Sequence, residues 1–130
     1  MSTSTELQNS TIEWLTQWSN SEQPVLTDEI KGDVQRFQRA HRGPADLYVL
    51  YFGTQLPFKE SALENECLMN VSWGPETASL TGPYIYAIQV PAEQVLIDLT
   101  LLEGVSWAPA DRVIILPGRY WITLSSLAGR

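Results

Sequence analysis

The stretch "TDEIKGDVQRFQRAHRGPADLYVLYFG", residues 27–53, decides the fold because its hydrophobic period changes midway. Its first half places Ile30, Val34 and Phe37 on one face of a helix. Thr27 is suited to cap that helix, and Gly43 comes directly after it. The second half, "DLYVLYF", is rich in β-branched and aromatic residues on both faces, as in a covered strand.

Signals on both sides of this stretch give the predicted order of elements. A short amphipathic helix is expected over residues 10–20, before the longer helix. Strands are expected at 46–53, 69–73, 84–90 and 112–124, the last as a hairpin turning at 117–118. A helix is expected to start at Pro75, one or two helical turns at 61–67, and a strand or short helix at 93–99. Helices followed by strands predict an α+β fold, with a flexible N-terminus (1–10) and a single domain (11–130).

Composition and charge narrow the classes of function. The 130 residues carry a net charge of −7, with fifteen acidic and eight basic side chains. This balance argues against direct binding of nucleic acid, which needs clustered Lys and Arg, and is compatible with a protein partner that has a basic surface or with mimicry of a nucleic acid. Cys67 is the only cysteine, so the chain forms no internal disulfide. With no apolar run of about 18 residues and no basic signal segment, we expect a cytoplasmic protein outside the membrane.

Three stretches carry the functional signal: "LYVLYFGT" (47–54), "NVSWGPETA" (70–78) and "VPAEQVLID…ADRVIILPGRYWITL" (90–124). In this order they resemble the ADP-ribosyltransferase fold of bacterial toxins and phage enzymes, over roughly residues 25–124. The resemblance implies a split β-sheet with one or two N-terminal helices, and NAD as the cofactor. The family's first strand commonly ends in Tyr-Arg-Gly or His-Gly-Thr, its second motif is often Ser-Trp-Thr, and its third is a glutamate before Val-Leu-Leu-Pro-Gly.

The chemistry of the family explains why these groups matter. Cleavage of the nicotinamide–ribose bond creates a positively charged, oxocarbenium-like centre, which a nearby carboxylate stabilises. An Arg or His at the end of the first strand holds the phosphate or the ribose. This sequence departs from the pattern at Phe52, at Gly74 and at Arg112, which places a cation where the family has the glutamate.

The resemblance nevertheless assigns candidate residues for an atypical active site. Asp111, one residue before the expected glutamate position, and Glu103 are the candidate catalytic acids. The candidate cofactor-binding residues are Phe52, Gly53, Ser72 and Trp73. Arg42 is a further candidate to replace the missing basic group, and no metal site is expected. Each candidate also has an ordinary structural interpretation, as a core, strand or turn residue.

Two functional hypotheses therefore remain. In the first, the catalytic motif is degenerate and the chain is a small acidic effector that binds and inhibits a protein partner. Its candidate binding residues are Glu60, Glu64 and Glu66, in a predicted loop or short helix where binding residues often lie. In the second, the chain is an active NAD-dependent mono-ADP-ribosyltransferase that modifies a host protein. Small size, acidity and a degenerate motif resemble effectors encoded by phages or mobile elements.

Overall fold

The computed structural model describes residues 7–20, 22–57, 60–102 and 111–124. These residues form three α-helices and a seven-stranded antiparallel sheet, which confirms the predicted α+β class. The helices are α1 (Asn9–Ser19), α2 (Asp28–His41) and α3 (Pro75–Ala78). The strands are β1 (Leu47–Thr54), β2 (Ala62–Asn65), β3 (Met69–Ser72), β4 (Tyr84–Pro91), β5 (Val95–Asp98), β6 (Arg112–Ile115) and β7 (Gly118–Leu124). Short 3₁₀ turns, Ala92–Gln94 and Leu99–Leu101, flank β5.

Helix α2 forms as its sequence predicts. The Thr27 hydroxyl accepts a hydrogen bond from the Ile30 N–H, at 3.3 Å, and so satisfies one of the free donors of the first turn. Val34 and Phe37 have no solvent exposure. They belong to a core cluster that α2 shares with α1, β5 and β6. The apolar face therefore anchors α2 to one end of the sheet.

A buried carboxylate joins the first two helices. Asp33 of α2 accepts hydrogen bonds from the Gln8 N–H at 2.9 Å and the Thr11 hydroxyl at 2.7 Å, and it pairs with Arg36 at 2.8 Å. Leu7 is also buried, and α1 begins at Asn9. Leu7 and Gln8 thus pack with the first two helices.

The strand order, β2-β7-β4-β1-β3-β6-β5, requires a strongly curved sheet. Strands β6 and β7 are four positions apart, which is about 19 Å across a flat sheet. Only Leu116 and Pro117 link them, and such a link reaches at most about 11 Å. The sheet must therefore bend toward its inner face. The Tyr120 hydroxyl of β7 donates to the Leu116 carbonyl oxygen, at 2.6 Å, inside this bend.

Each face of the sheet has its own packing. The inner face holds a core cluster to which β1, β3, β4, β6 and β7 contribute, including Leu50, Ile88 and Tyr120. Residues that alternate with these point to the outer face, where Leu47 and Val49 remain 47% and 46% exposed. The central strand β1 is thus covered on its inner face and partly open on its outer face.

The structure corrects the predicted C-terminal hairpin. Strand β6 pairs with β3 and β5, whereas β7 pairs with β4 and β2, so the two consecutive strands are not neighbours. The turn at Pro117–Gly118 is present, but the chain there crosses the bend rather than folding back on itself. Local turn chemistry marks the point where the chain leaves β6 but does not identify the paired strand, because pairing depends on burial elsewhere.

Of three other predicted segments, one is wrong, one is resolved between its two alternatives and one is confirmed. Residues 62–65 form strand β2 rather than helical turns, because Leu63 alternates into the core beside Tyr120 while Glu64 points outward. The ambiguous segment at 93–99 begins in a 3₁₀ turn and continues as strand β5. The helix expected at Pro75 is present as α3. Within the described ranges, no helix is both long and apolar enough to cross a membrane.

Candidate functional site

A groove lies on the outer face, beside the last residues of β1, where the sequence places the candidate site. Its volume is about 110 Å³. Strands β1, β3 and β6 form its floor, and α3 with the turn after it forms one wall. The lining residues are Tyr51, Phe52, Asn70, Val71, Ser72, Thr77, Ala78, Leu80, Thr81 and Arg112.

Two glycines allow the wall of the groove to lie directly on β1. A Cβ atom on Gly53 would stand 2.0 Å from the Ala78 carbonyl oxygen, and one on Gly82 would stand 2.1 Å from the Thr54 backbone. No side chain fits at either contact. The Thr81 hydroxyl also hydrogen-bonds the Gly53 carbonyl oxygen, at 2.9 Å. Gly53 therefore allows α3 to pack directly on the sheet.

Phe52, a candidate cofactor-binding residue, has its side chain in the core. It is 4% exposed, belongs to the inner-face cluster and stacks on Tyr86 with ring centroids 5.5 Å apart. Leu50 and Phe52 alternate with Tyr51, which lies on the outer face opposite Ser72. Only Tyr51 of this trio thus presents its side chain on the groove side of β1.

Asp111, the first candidate catalytic acid, is occupied by hydrogen bonds within the fold. Its carboxylate accepts from the Gly74 N–H at 3.2 Å and from the Thr77 hydroxyl at 2.7 Å. Its carbonyl oxygen accepts from the Trp73 N–H at 3.1 Å. Gly74 is the N-cap of α3 and offers no side chain, and Asp111, just before β6, holds this end of the helix through the N–H of the N-cap residue and the Thr77 hydroxyl. Asp111 therefore fixes α3 to the start of β6.

Ser72 and Arg112 form the polar floor of the groove. They are directly opposite each other on β3 and β6, and Tyr51 is opposite Ser72 on β1. The Ser72 hydroxyl donates to the Gly74 carbonyl oxygen at 2.7 Å. Arg112 is half-buried and has no ion pair or hydrogen bond from its side chain within the described part of the chain. Burial lowers the pKa of Arg112 below its usual value.

Trp73 lies outside the groove, against the inner side of the sheet. Its ring packs on Tyr48, with centroids 5.2 Å apart, and its indole N–H donates to the Asp98 carboxylate at 3.1 Å. Burial, together with the negative charge of Asp98, raises the pKa of Tyr48. The structure brings Ser72 to the groove, places Gly53 against α3 beside it, and places Trp73 in a separate cluster. The interpretation of Trp73 as a packing residue accounts for these contacts.

The remaining candidates lie elsewhere. Arg42 borders a cavity at the start of β1, about 20 Å along the strand from Gly53, so it does not replace the missing basic group. Glu103 lies outside the described residues. Glu64 is on edge strand β2, while Glu60 precedes that strand and Glu66 follows it, and all three are exposed.

Two groove residues have roles that the sequence does not reveal. In the sequence, Arg112 is noted only because it stands where the resembled motif has a glutamate, and Tyr51 only as an aromatic residue of a strand. Alternation along β1, β3 and β6 contains the necessary signal once the pairing of these strands is known, because Tyr51, Ser72 and Arg112 then share one face. The pairing itself is not encoded locally, so the cluster is not visible in the sequence.

Comparison of the chain with family models, with curated proteins and with solved structures finds no match. Among the described residues, no group of three or more His, Cys, Asp or Glu side chains is placed to hold a metal ion. The function must therefore be inferred from the geometry of this chain alone.

Proposed function

We propose that this chain is a non-catalytic protein on an ADP-ribosyltransferase-like scaffold, and that it inhibits a protein partner by occupying its basic surface. The single observation that carries the proposal is the outer surface of β2 and β7. There an exposed tryptophan, Trp121, shares one face of the sheet with the exposed carboxylate of Glu64. Among its described residues, the groove lacks an available carboxylate for catalysis, whereas this surface exposes groups suited to binding a protein.

The groove argues against cleavage of NAD. The reaction needs a carboxylate next to a developing positive charge, and the charged residue among those that line the groove is Arg112. Asp111 holds α3 with both carboxylate oxygens, and Phe52 is committed to the core. A guanidinium at this place would oppose an oxocarbenium-like transition state rather than stabilise it.

The outer surface of β2 and β7 exposes groups whose contacts within the chain are few and lie at the surface. Trp121 is 57% exposed, and aromatic residues are enriched among those that contribute most to binding energy at protein interfaces. Arg119 lies over its ring, 4.9 Å from the centroid, and reaches Glu64 at 3.6 Å. Leu47 and Val49 add exposed apolar area to the same face of the sheet. An aromatic anchor with an apolar surround and a charged rim has the composition of an interface.

The charge of the chain defines the partner. Glu60, Glu64 and Glu66 stand along an edge strand of a protein with a net charge of −7. Acidic residues there discourage edge-to-edge pairing with other copies of the chain. They favour a protein whose surface presents Lys or Arg, which can replace the weak contact of Glu64 with Arg119. Attraction of this kind speeds association and weakens with salt.

The test is capture of partners from host lysate, quantified by mass spectrometry at low and high salt. The variant carries Glu60→Lys, Glu64→Lys and Glu66→Lys, and a second variant carries Trp121→Ala. The matched control carries Glu13→Lys, Glu22→Lys and Asp46→Lys, three exposed acids outside this surface, with the same number of charges reversed. We expect a basic partner to be lost from both test variants and kept by the control. A partner kept equally by all of them, or unaffected by salt, would exclude this surface.

A second assay separates this proposal from the enzyme hypothesis. Purified protein incubated with NAD is expected to release no nicotinamide above background, because two groups worth about 10²–10³ in rate each are missing. Release that disappears in Asp111→Asn, with the fold intact, would contradict the proposal and support an active transferase.

A further inference from the structure

A second cavity, of about 250 Å³, lies between the C-terminal half of α2 and the chain segment that leads into β5. Its residues are Gln35, Gln38, Arg39, Arg42, Ala92, Glu93 and Val95. Gln35, Gln38 and Arg39 lie on successive turns of α2, with Arg42 as its C-cap, so their side chains converge on one side of the helix. The opposite wall is apolar, from Ala92 and Val95.

Two arginines face this cavity without a counter-ion. Neither Arg39 nor Arg42 forms an ion pair within the described ranges, although the chain has almost twice as many acidic as basic residues. Glu93 is at the rim but is not within salt-bridge distance of either guanidinium. Arg42 donates one hydrogen bond, at 3.2 Å, to the Ala45 carbonyl oxygen, which orients the guanidinium and leaves its other N–H donors available.

A buried amide holds the same wall in place. Gln38 is 2% exposed, and its Oε1 accepts from the Asp98 N–H at 2.8 Å. This bond fixes the orientation of the amide, whose side-chain hydrogen bond to Tyr48 lowers the pKa of that phenol, against the larger effect of burial. The amide thus ties α2 to β5 and to β1, which holds the wall that carries the two guanidinium groups in place.

The apolar wall is held rigidly in place. The Ala92 N–H donates to the Asp46 carbonyl oxygen at 2.8 Å, and the Leu116 N–H donates to the Gln94 carbonyl oxygen at 2.9 Å. These bonds tie the segment to both the start of β1 and the end of β6. A site that is already formed loses little conformational entropy when a ligand enters.

We propose that this cavity binds a small organic anion, with its carboxylate or phosphate group held by Arg39 and Arg42 and its apolar body against Ala92 and Val95. Guanidinium forks bind both kinds of oxyanion in a bidentate manner, and Arg is preferred over Lys where that geometry matters. The volume restricts the ligand to about the size of one aromatic ring with its acid group. This inference does not depend on the proposed binding of a protein partner.

The test is an NMR titration of the ¹⁵N-labelled full chain with benzoate, phenyl phosphate and inorganic phosphate, each against chloride at equal ionic strength. The reporters are the Gln38 side-chain NH₂ and the Asp98 backbone N–H, which the Gln38 amide oxygen joins. We expect saturable shifts of both reporters with benzoate or phenyl phosphate. The preferred arm identifies the acid group, and weaker binding of inorganic phosphate shows the contribution of the apolar wall.

Three variants decide whether the cavity is responsible. Arg39→Gln and Arg42→Gln are each expected to weaken binding about tenfold, because each removes a charge-assisted hydrogen bond. Lys31→Gln, on the same helix but outside the cavity, removes the same charge and is expected to leave binding unchanged. The spectra themselves report whether each variant is folded. Shifts that do not saturate, that chloride reproduces, or that Lys31→Gln reduces as much as the arginine variants, would overturn the proposal.

Discussion

The groove at the end of β1 and the outer surface of β2 and β7 lie on the same sheet but use their polar residues in opposite ways. In the groove, Asp111 and Ser72 are bonded to the N-terminal turn of α3. On the outer surface, Glu64 has one long ion pair with Arg119, and both side chains are more than half exposed. The first set of groups holds the fold together, whereas the second is available to a partner.

The difference shows that residues that resemble a catalytic motif can have purely structural roles. The segment that contains Ser72, Gly74 and Pro75 resembles a catalytic motif, yet each of these residues also has a local structural role. Ser72 makes a turn hydrogen bond, Gly74 is the N-cap of α3, and Pro75 starts that helix. Fold and function are separable, so a resemblance at these residues does not by itself establish chemistry. Substitutions that affect stability in one region and binding in the other test the distinction directly.

The largest effect is expected from Phe52→Arg, which introduces the residue that the ADP-ribosyltransferase family commonly has before this glycine. It places a charge in the inner-face core, where Phe52 stacks on Tyr86. We expect the free energy of unfolding to fall by about 4 kcal/mol or more, because the ring is lost and the guanidinium has no partner. Urea denaturation measures this, with Phe52→Leu as a control that loses only about 1 kcal/mol. A stable Phe52→Arg protein that cleaves NAD would show that the groove retains catalytic capacity.

Asp111→Ala is expected to lower the free energy of unfolding by about 2 kcal/mol. The substitution leaves the Gly74 N–H and the Thr77 hydroxyl without their acceptor, and hydrogen bonds to a charged group are among the stronger ones. Asp111→Asn retains one acceptor oxygen and should lose less. Chemical denaturation and exchange of the α3 amide protons measure the change. An effect below about 0.5 kcal/mol would mean that Asp111 is free for another role.

These two predictions also show what sequence can and cannot determine. Helix α2 follows from its local periodicity and its Thr27 cap, and the strands β1, β3 and β4 follow from runs of β-branched and aromatic residues, because these signals lie within a single element. The separation of β6 from β7, and strand β2, depend on which distant strand covers which face, and short segments do not encode this. The candidate site shows the same division. The sequence identifies Ser72 as a motif residue, whereas the hydrogen bonds from α3 to Asp111 are visible only in the folded structure.

Tyr120→Phe is expected to cost about 1 kcal/mol at neutral pH, since it removes the hydrogen bond to the Leu116 carbonyl oxygen. Burial raises the pKa of Tyr120 from 10.0 to about 12. In the folded state the phenol therefore holds its proton between these values, whereas in the unfolded state it releases it. Stability from this group is complete below pH 10 and is lost as pH rises toward 12. When the midpoint of denaturant unfolding is measured at increasing alkaline pH, it should fall less steeply for Tyr120→Phe than for the unsubstituted protein. An equal slope in both proteins would contradict the raised pKa of Tyr120.

The smallest effect on stability is expected from Glu64→Gln, on the strand next to Tyr120. The carboxylate is 67% exposed and its contact with Arg119, at 3.6 Å, is screened by water and salt. We expect a change in unfolding free energy within about 0.5 kcal/mol, and no coupling with Arg119→Gln in a double-mutant cycle. The same substitution should reduce capture of a basic partner, because the charge it removes acts between molecules rather than within one. A stability loss comparable to that of Asp111→Ala would mean that Glu64 holds the edge strand in place, and the contrast between the two regions would no longer stand.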